Sequence, residues 1–320
     1  MSIKSGASVA LAGMLSLTAV SCARVGQVQA MRALKQGNQA YQQQDYKKAA
    51  DFYQNAISAA PDDPRVSVAY FFLGNSQDNL WKPSKKGDAA NDALLNSAVE
   101  NYQKAAEKIP PEPADMGKLK KLSLEYLVAT YGPDKLNDPA KAEPVVQRMI
   151  QLEPSEPANY FALAKIYQDA GAYEEAEKVL LRAKEAKPND PAVYMQLATY
   201  YNQQGQFDKT IEALQERAAK EPSNPEAFYT IATYYWDKAY RDFRIKDNEK
   251  KDYVQKGVEA VDHALQIKPD YMEALVYKNL LLRLQANMEK DPAKQQALLK
   301  QADQLRDKAQ EMRKQKASGA

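Results

Sequence analysis

The sequence has one cysteine and one histidine in 320 residues, Cys22 and His263, and its 12 glycines all stand singly. Protein zinc sites and cysteine–histidine nucleophile pairs need more of these residues than the chain has. Single glycines also form no phosphate-binding loop. The formal net charge is +2, and basic and acidic residues are interspersed, so there is no clustered basic face for nucleic acid. We therefore expect a protein that is not an enzyme and binds no cofactor, metal or nucleic acid.

What the chain does have is a ladder of prolines. The ladder consists of Pro61, Pro110, Pro154, Pro188, Pro222 and Pro269, at intervals of 49, 44, 34, 34 and 47 residues. An interval of 34 residues is the period of a helix–turn–helix unit that stacks on its neighbours into a solenoid. Such an array offers an extended surface for a partner.

Between the prolines, residues of the same type recur at the same phase. Tyr160, Leu163, Ala164 and Tyr167 recur as Tyr194, Leu197, Ala198 and Tyr201, and again as Phe228, Ile231, Ala232 and Tyr235. Spacings of three and four residues place these side chains on one apolar stripe of a helix. The alanines allow close helix packing, and Gly171 and Gly205 fall where the chain must turn between helices. The pattern predicts pairs of antiparallel helices.

This pattern resembles the tetratricopeptide repeat (TPR) family over residues 31–282. The resemblance implies an all-α solenoid of about six to seven helix–turn–helix units with a C-terminal capping helix. We expect the solenoid to cover residues 31–290, followed at 291–320 by a capping helix (293–315) and a disordered tail.

Three units are longer than 34 residues. Unit two has 15 extra residues, around 81–87, and unit three has 10, with its inter-helix turn near 132–139. Unit six has 13 extra residues between Trp236 and Val254, for which we expect extended helices with a break at Asp247–Asn248. Val146 and Met149 replace the usual residue types and leave the register of unit three open.

The first 30 residues precede the repeats. We expect a signal peptide at 1–21, because Ala7 to Val20 is uncharged and too short to span a bilayer. Thr18–Cys22 resembles a bacterial lipobox, which implies a lipid-bearing Cys22 followed by a linker at 22–30. Ala23 after it favours the outer membrane, facing the periplasm. Two alternatives stay open, namely ordinary cleavage after Val28-Gln29-Ala30 and an uncleaved anchor.

The TPR resemblance also implies which residues face a ligand, namely those one, five and eight places after the opening aromatic of each first helix. The implied protein-binding groove consists of Phe161, Lys165, Gln168, Met195, Thr199, Asn202, Tyr229, Thr233 and Trp236. Weaker equivalents in the first two units are Leu34, Asn38, Tyr41, Phe71, Asn75 and Asp78. Aromatic side chains would anchor a peptide while amides and hydroxyls bond its backbone.

The TPR subtype that clamps acidic C-terminal tails needs a lysine four residues before an asparagine, and here Leu34 and a second-unit Phe72 stand at the clamp positions. The sequence therefore predicts a non-catalytic, lipid-anchored envelope scaffold for a protein or peptide client. The alternatives are a soluble secreted or periplasmic adaptor that regulates a partner, and, more weakly, the TPR half of an enzyme carried on another chain. His263 lies beside a small packing position, so we expect a structural role for it.

Overall fold

The computed structural model describes the backbone of residues 7–319 and the side chains of 24–319. Within that part of the chain there are fourteen α-helices and no strand. The helices are α1 (Ala7–Gln42), α2 (Tyr46–Ala59), α3 (Val68–Leu80), α4 (Ala89–Lys108), α5 (Ala114–Tyr131), α6 (Pro139–Leu152), α7 (Pro157–Asp169), α8 (Tyr173–Ala186), α9 (Pro191–Gln203), α10 (Phe207–Lys220), α11 (Pro225–Arg241), α12 (Asp247–Ile267), α13 (Met272–Met288) and α14 (Pro292–Ala317). They form seven consecutive pairs, α1–α2 to α13–α14, and the predicted all-α TPR solenoid is confirmed.

Local sequence starts the helices in the way their residue types require. Asp190 and Asn224 each accept a hydrogen bond from the backbone N–H two residues later, at 3.0 Å. In both cases a proline follows the cap at the first helical position, where its missing N–H costs nothing. The turn glycines Gly171 and Gly205 have φ angles of 75° and 70°, in the left-handed region that other residues avoid.

One small residue in each second helix sets the register of the pair. It lies twelve positions before each proline of the ladder and is buried in every unit. These residues are Ala49, Ala98, Ala142, Ala176, Thr210 and Gly257. The position matters because the partner helix passes directly over it: a Cβ added to Gly257 would lie 2.8 Å from Leu281 Cδ2. Ala142 obeys the rule and so fixes the register of unit three, which the sequence left open.

Contacts divide the chain into two compact units. The first comprises the described residues up to Pro154 together with Lys165–Ala172, and the second comprises Ser155–Ala164 and everything from Tyr173 onward. In the first unit, the fully buried Tyr53 and Tyr102 lie flat against glycines of the facing helices. A Cβ at Gly37 would be 2.8 Å from Tyr53 Cδ1, and one at Gly74 would be 3.1 Å from Tyr102 Cδ1. Glycine is thus needed where a large aromatic ring fills the contact.

In the second unit, helices α11, α12 and α13 share an apolar core of small and branched residues. It consists of Ala232, Ala239, Val254, Val261, Ala264, Ala274 and Leu281, all fully buried. Alanine on one helix facing valine or leucine on the next lets the axes approach closely without a void. The lengthened α11 and α12 therefore pack along their whole extent, and the 13 extra residues of unit six lie mainly in helix.

The predicted boundaries need three changes. Residues 22–30, predicted as a linker, continue α1; Ala30 is fully buried there, and Gly26 lies against the carbonyl oxygen of Ala59. The break in unit six spans 242–246, because Asp247 begins α12 within a capping arrangement. The capping helix runs to Ala317, two residues further than predicted.

The predicted signal peptide at 1–21 and the side chain of Cys22 lie outside the residues whose side chains are described. Over the described residues, none of the helices combines the length and the apolar character that crossing a membrane requires.

Candidate functional site

The predicted ligand-facing residues all lie on the first helices of their pairs. Phe161, on α7, and the positions on α9 and α11 belong to the second unit, whereas Lys165 and Gln168 belong to the first. Phe161, Met195 and Trp236 are half-buried. The structure therefore places seven of the nine predicted residues in one compact unit, and the strongest cluster among them is on α11.

Trp236 is the centre of that cluster. Its indole stacks on the ring of Tyr240 at a centroid distance of 4.9 Å and an interplanar angle of 11°. The ring of Tyr277, on α13, meets the indole edge-on at 5.5 Å. Contacts of this geometry hold the rings in place beyond the effect of burial alone. Because Trp236 is half-buried and Tyr240 is 60 % exposed, the group presents a pre-ordered apolar surface to solvent.

Tyr229 extends the same surface toward the start of α11. Its ring lies 5.3 Å from both Tyr271 and Tyr277. Burial raises the pKa of Tyr229 to about 12, and the neighbouring tyrosines add to the shift. The hydroxyl therefore stays protonated and available as a donor at any physiological pH. We call Tyr229, Trp236, Tyr240, Tyr271 and Tyr277 the aromatic patch.

The predicted hydroxyl contacts differ from the expectation. Thr199 donates to the carbonyl oxygen of Met195 at 2.9 Å, and Thr233 donates to that of Thr230 at 2.7 Å. Both hydroxyl protons are thus used within their own helices, and only the oxygens remain, as acceptors. Asn202 is exposed and keeps an amide at the surface.

Lys165 was the only cation among the predicted residues of the groove. It forms an ion pair with Asp169, one helical turn further along α7. Its charge is thereby offset locally, and the exposed pair contributes little to stability. The nine predicted residues therefore give a surface whose main resource is aromatic rather than ionic.

The weaker N-terminal positions are occupied by internal hydrogen bonds. Tyr41 donates to Asn75 Oδ1 at 2.6 Å, and Tyr53 donates to Asn38 Oδ1 at 2.9 Å. Lys135 reaches Asp78 at 2.6 Å. These polar side chains serve the packing of the first unit, so the candidate site is best placed on the second.

The α11–α12 turn carries a second exposed aromatic residue, Phe243, which is 93 % exposed. Trp236, Tyr240 and Phe243 follow one another at spacings of four and three, so they continue one face of α11. Asp242 fixes the turn by accepting hydrogen bonds from Arg244 and Lys238 at 2.9 Å. These donors hold the pKa of Asp242 well below its usual range, Arg244 contributing most.

Sequence reasoning found Trp236 and Tyr229 but missed Tyr240, Tyr271 and Tyr277. Tyr240 carried a signal, since it lies one turn after Trp236 on the lengthened helix. The two tyrosines near α13 fall outside the three family positions, and only the packing of α13 on α11 brings them to the patch.

His263 lies exposed on α12 with its ring 3.9 Å from that of Phe228, which is a packing contact. Among the residues searched, those that the structure describes, no three histidine, cysteine, aspartate or glutamate side chains lie together as metal ligands would.

Comparison with known proteins agrees with this architecture. A family model described as tetratricopeptide repeat matches residues 135–199, which span unit three to the first helix of unit five. The chain is a TPR protein. A search of curated proteins finds no match.

Among solved structures, the C-terminal part of a TPR repeat-containing protein from Cytophaga hutchinsonii aligns at 15 % identity with a TM-score of 0.52, covering 85 % of this chain and 95 % of that one. A TPR protein from Parabacteroides merdae aligns at 14 % identity with a TM-score of 0.44, covering 86 % and 98 %. At these identities the likeness concerns the TPR fold.

Proposed function

We propose that this TPR protein is a non-catalytic scaffold that holds a protein or peptide client on the first-helix face of its second unit. The observation that carries the proposal is the aromatic patch, in which a half-buried tryptophan is pre-stacked between two tyrosines. Tryptophan and tyrosine dominate the binding energy of protein interfaces, because they bury much area at little entropic cost. TPR folds are interaction scaffolds, and the patch supplies the anchor that such a scaffold needs.

The chemistry of the patch indicates the kind of client. Its rings are apolar on their faces, and its hydroxyls are neutral at physiological pH. The client should therefore contribute apolar or aromatic side chains, with backbone groups bonded by Asn202 and the tyrosine hydroxyls.

Photo-crosslinking tests this assignment in the native setting. A benzoylphenylalanine placed at Thr233 should capture the client, whereas the same group at Lys178, exposed on α8, should not. With the captured client, Trp236→Ala should weaken binding by about 2 kcal/mol, or roughly thirty-fold, without changing the helical circular dichroism. Tyr173→Ala removes another exposed ring, on α8, and serves as the control. Equal capture at both positions, or unchanged affinity of Trp236→Ala, would refute the site.

We further propose that Cys22 is lipidated and that the scaffold is anchored at the envelope membrane, facing the periplasm and most plausibly at the outer membrane. The packing of α1 supports this over cleavage after Ala30. Ala30 is fully buried, and Gly26 lies against the end of α2, so cleavage there would cut a packed helix. Two or more acyl chains suffice for stable membrane attachment.

Mass spectrometry of the mature N-terminus distinguishes this anchor from the soluble adaptor. An acylated Cys22 supports attachment, and Cys22→Ser should then release the protein from the membrane fraction. A mature chain beginning at Met31 would refute the anchor and favour the soluble alternative.

A further inference from the structure

A second surface lies on a different side of α11 from the aromatic patch. Between the second helices α10 and α12 there is an open cleft of about 780 Å³, which we call the second-helix cleft. Phe228, Ile231 and Tyr235 of α11 form its floor. Along α10 its lining runs from Phe207 to Pro222, roughly 22 Å at the rise of an α-helix. Its shape is that of a groove between two helices.

The preceding repeat contains the same cleft in a closed form. Between α8 and α10 the equivalent space measures about 180 Å³. Its floor residues Tyr194, Leu197 and Tyr201 lie 34 positions before those of the larger cleft. Two copies of one backbone arrangement therefore differ more than four-fold in open volume, and the cause must lie in their side chains.

Ion pairs close the smaller cleft. Lys184 on α8 reaches Glu216 on α10 at 2.6 Å, and Lys209 on α10 reaches Glu177 on α8 at 2.9 Å. Tyr201 also donates to Glu177 at 2.9 Å. These contacts cross directly from one second helix to the next and occupy the space above the floor.

The corresponding positions of the larger cleft cannot form these bridges. Ala218 stands where Lys184 is, and His263 stands where Glu216 is. Ile211 replaces Glu177, which leaves Lys256, the counterpart of Lys209, without a carboxylate across the gap. Both bridges are thus missing, and a small and an apolar side chain leave the floor open.

The charges on the rim indicate what fits. Asp208 and Glu212 on α10 and Glu259 on α12 line the cleft, and none of them has an ion-pair partner among the described residues. The one lysine of the lining, Lys256, is paired with Asp252 at 2.7 Å. The cleft therefore combines an apolar floor with a rim of excess negative charge.

We propose that the second-helix cleft binds an amphipathic helical segment of a partner protein whose apolar stripe is flanked by lysine or arginine. The length of the cleft matches about fourteen helical residues, the length of α10 itself. Apolar side chains of the segment fill the space that Lys184 and Glu216 occupy in the closed copy, and its cations meet the unpaired carboxylates. This site is independent of the aromatic patch and of its client.

The experiment uses the full chain and a fluorescein-labelled fourteen-residue peptide with leucines at helical spacings i, i+3, i+4 and i+7 and lysines elsewhere. Fluorescence anisotropy should show saturable binding, and a peptide with glutamates in place of the lysines should bind at least ten-fold more weakly. The double substitution Ala218→Lys/His263→Glu installs the bridge of the closed copy and should weaken binding at least ten-fold. Trp236→Ala should leave binding unchanged.

A second variant keeps the test decisive if the bridge disturbs folding. Asp208→Lys/Glu212→Lys changes two exposed side chains and should weaken the lysine peptide while strengthening the glutamate peptide. Absence of saturable binding, equal binding by the bridged variant with unchanged circular dichroism, or loss of binding in Trp236→Ala would each overturn the proposal.

Discussion

The register of the repeats makes a quantitative prediction at Ala176. This residue is fully buried on α8, twelve positions before Pro188, where the facing helix leaves no room for a longer side chain. Ala176→Glu both overpacks the contact, at about 1–3 kcal/mol, and buries a carboxyl group. At pH 7 the least costly response is protonation, which from an unfolded pKa near 4.3 costs roughly 3.7 kcal/mol.

The expected loss is therefore about 5 kcal/mol, a large part of the roughly 5–15 kcal/mol that stabilises a typical domain. Urea denaturation followed by circular dichroism measures it directly. Ala176→Gln has nearly the same size without the charge, so it separates the two contributions. The carboxyl group has a raised pKa in the folded protein, so its cost applies above the unfolded pKa. It should fall by about 1.4 kcal/mol for each pH unit below 7 and vanish near pH 4.

Ala192→Glu is the matched control, since Ala192 is exposed in the first turn of α9. Its free energy of unfolding should change by no more than about 0.5 kcal/mol. If Ala176→Glu were as stable as Ala192→Glu, the position would not be buried, and the phase assigned to the repeats would be wrong.

Three further substitutions test other contacts. Glu177→Gln removes the acceptor for Lys209, which lowers the pKa of Glu177 below its ordinary 4.5. The stability that the carboxylate contributes should be constant above about pH 5 and disappear as the pH falls below the lowered value, as urea denaturation over a pH series will show. Lys135→Met leaves the nearly buried carboxylate of Asp78 without its partner and should lower the free energy of unfolding of the first unit by about 1–3 kcal/mol, measured by hydrogen exchange. Gly257→Leu forces a side chain into atoms only 2.8 Å from its Cβ and should cost about 1–3 kcal/mol in urea denaturation.

Each of these three has an outcome that contradicts its reasoning. A stability difference for Glu177→Gln that persists unchanged at pH 3 would mean that the carboxylate charge is not the source. Full stability of Lys135→Met would mean that Asp78 is well solvated. A Gly257→Leu protein as stable as the wild type would show that the helices can separate at little cost.

The helix pairs and their phase were predictable because the 34-residue period is written in residue types. Tyr160, Tyr194 and Phe228 repeat the same burial at the same interval, and each ladder proline marks the end of a second helix. The first pair was predicted less completely. Its first helix begins before residue 31, because Ala30 and Gly26 pack on α2 although their surroundings look like a spacer.

The site was predictable only in part, for reasons of distance along the chain. Trp236 follows from the family positions, and Tyr240 from its spacing to Trp236. Tyr277 joins the patch through the packing of one pair on the next, which a single helical pattern does not encode. The second-helix cleft depends on the loss of two ion pairs, and their absence at Ala218 and His263 is visible only once the neighbouring repeat shows where such bridges form.

The small residue of each second helix has a consequence for how this protein changes length. The stretch from that residue to the following proline is twelve positions in every unit, although the units themselves range from 34 to 49 residues. All extra residues of units two, three and six have therefore been added ahead of it, toward the turn inside the pair. Each pair behaves as a ruler that is fixed at one end and free at the other. New sequence can be spliced in at 81–88, 132–138 or 242–246 without shifting the contact that joins the two helices, so these turns are where the protein can acquire features while its scaffold stays in register.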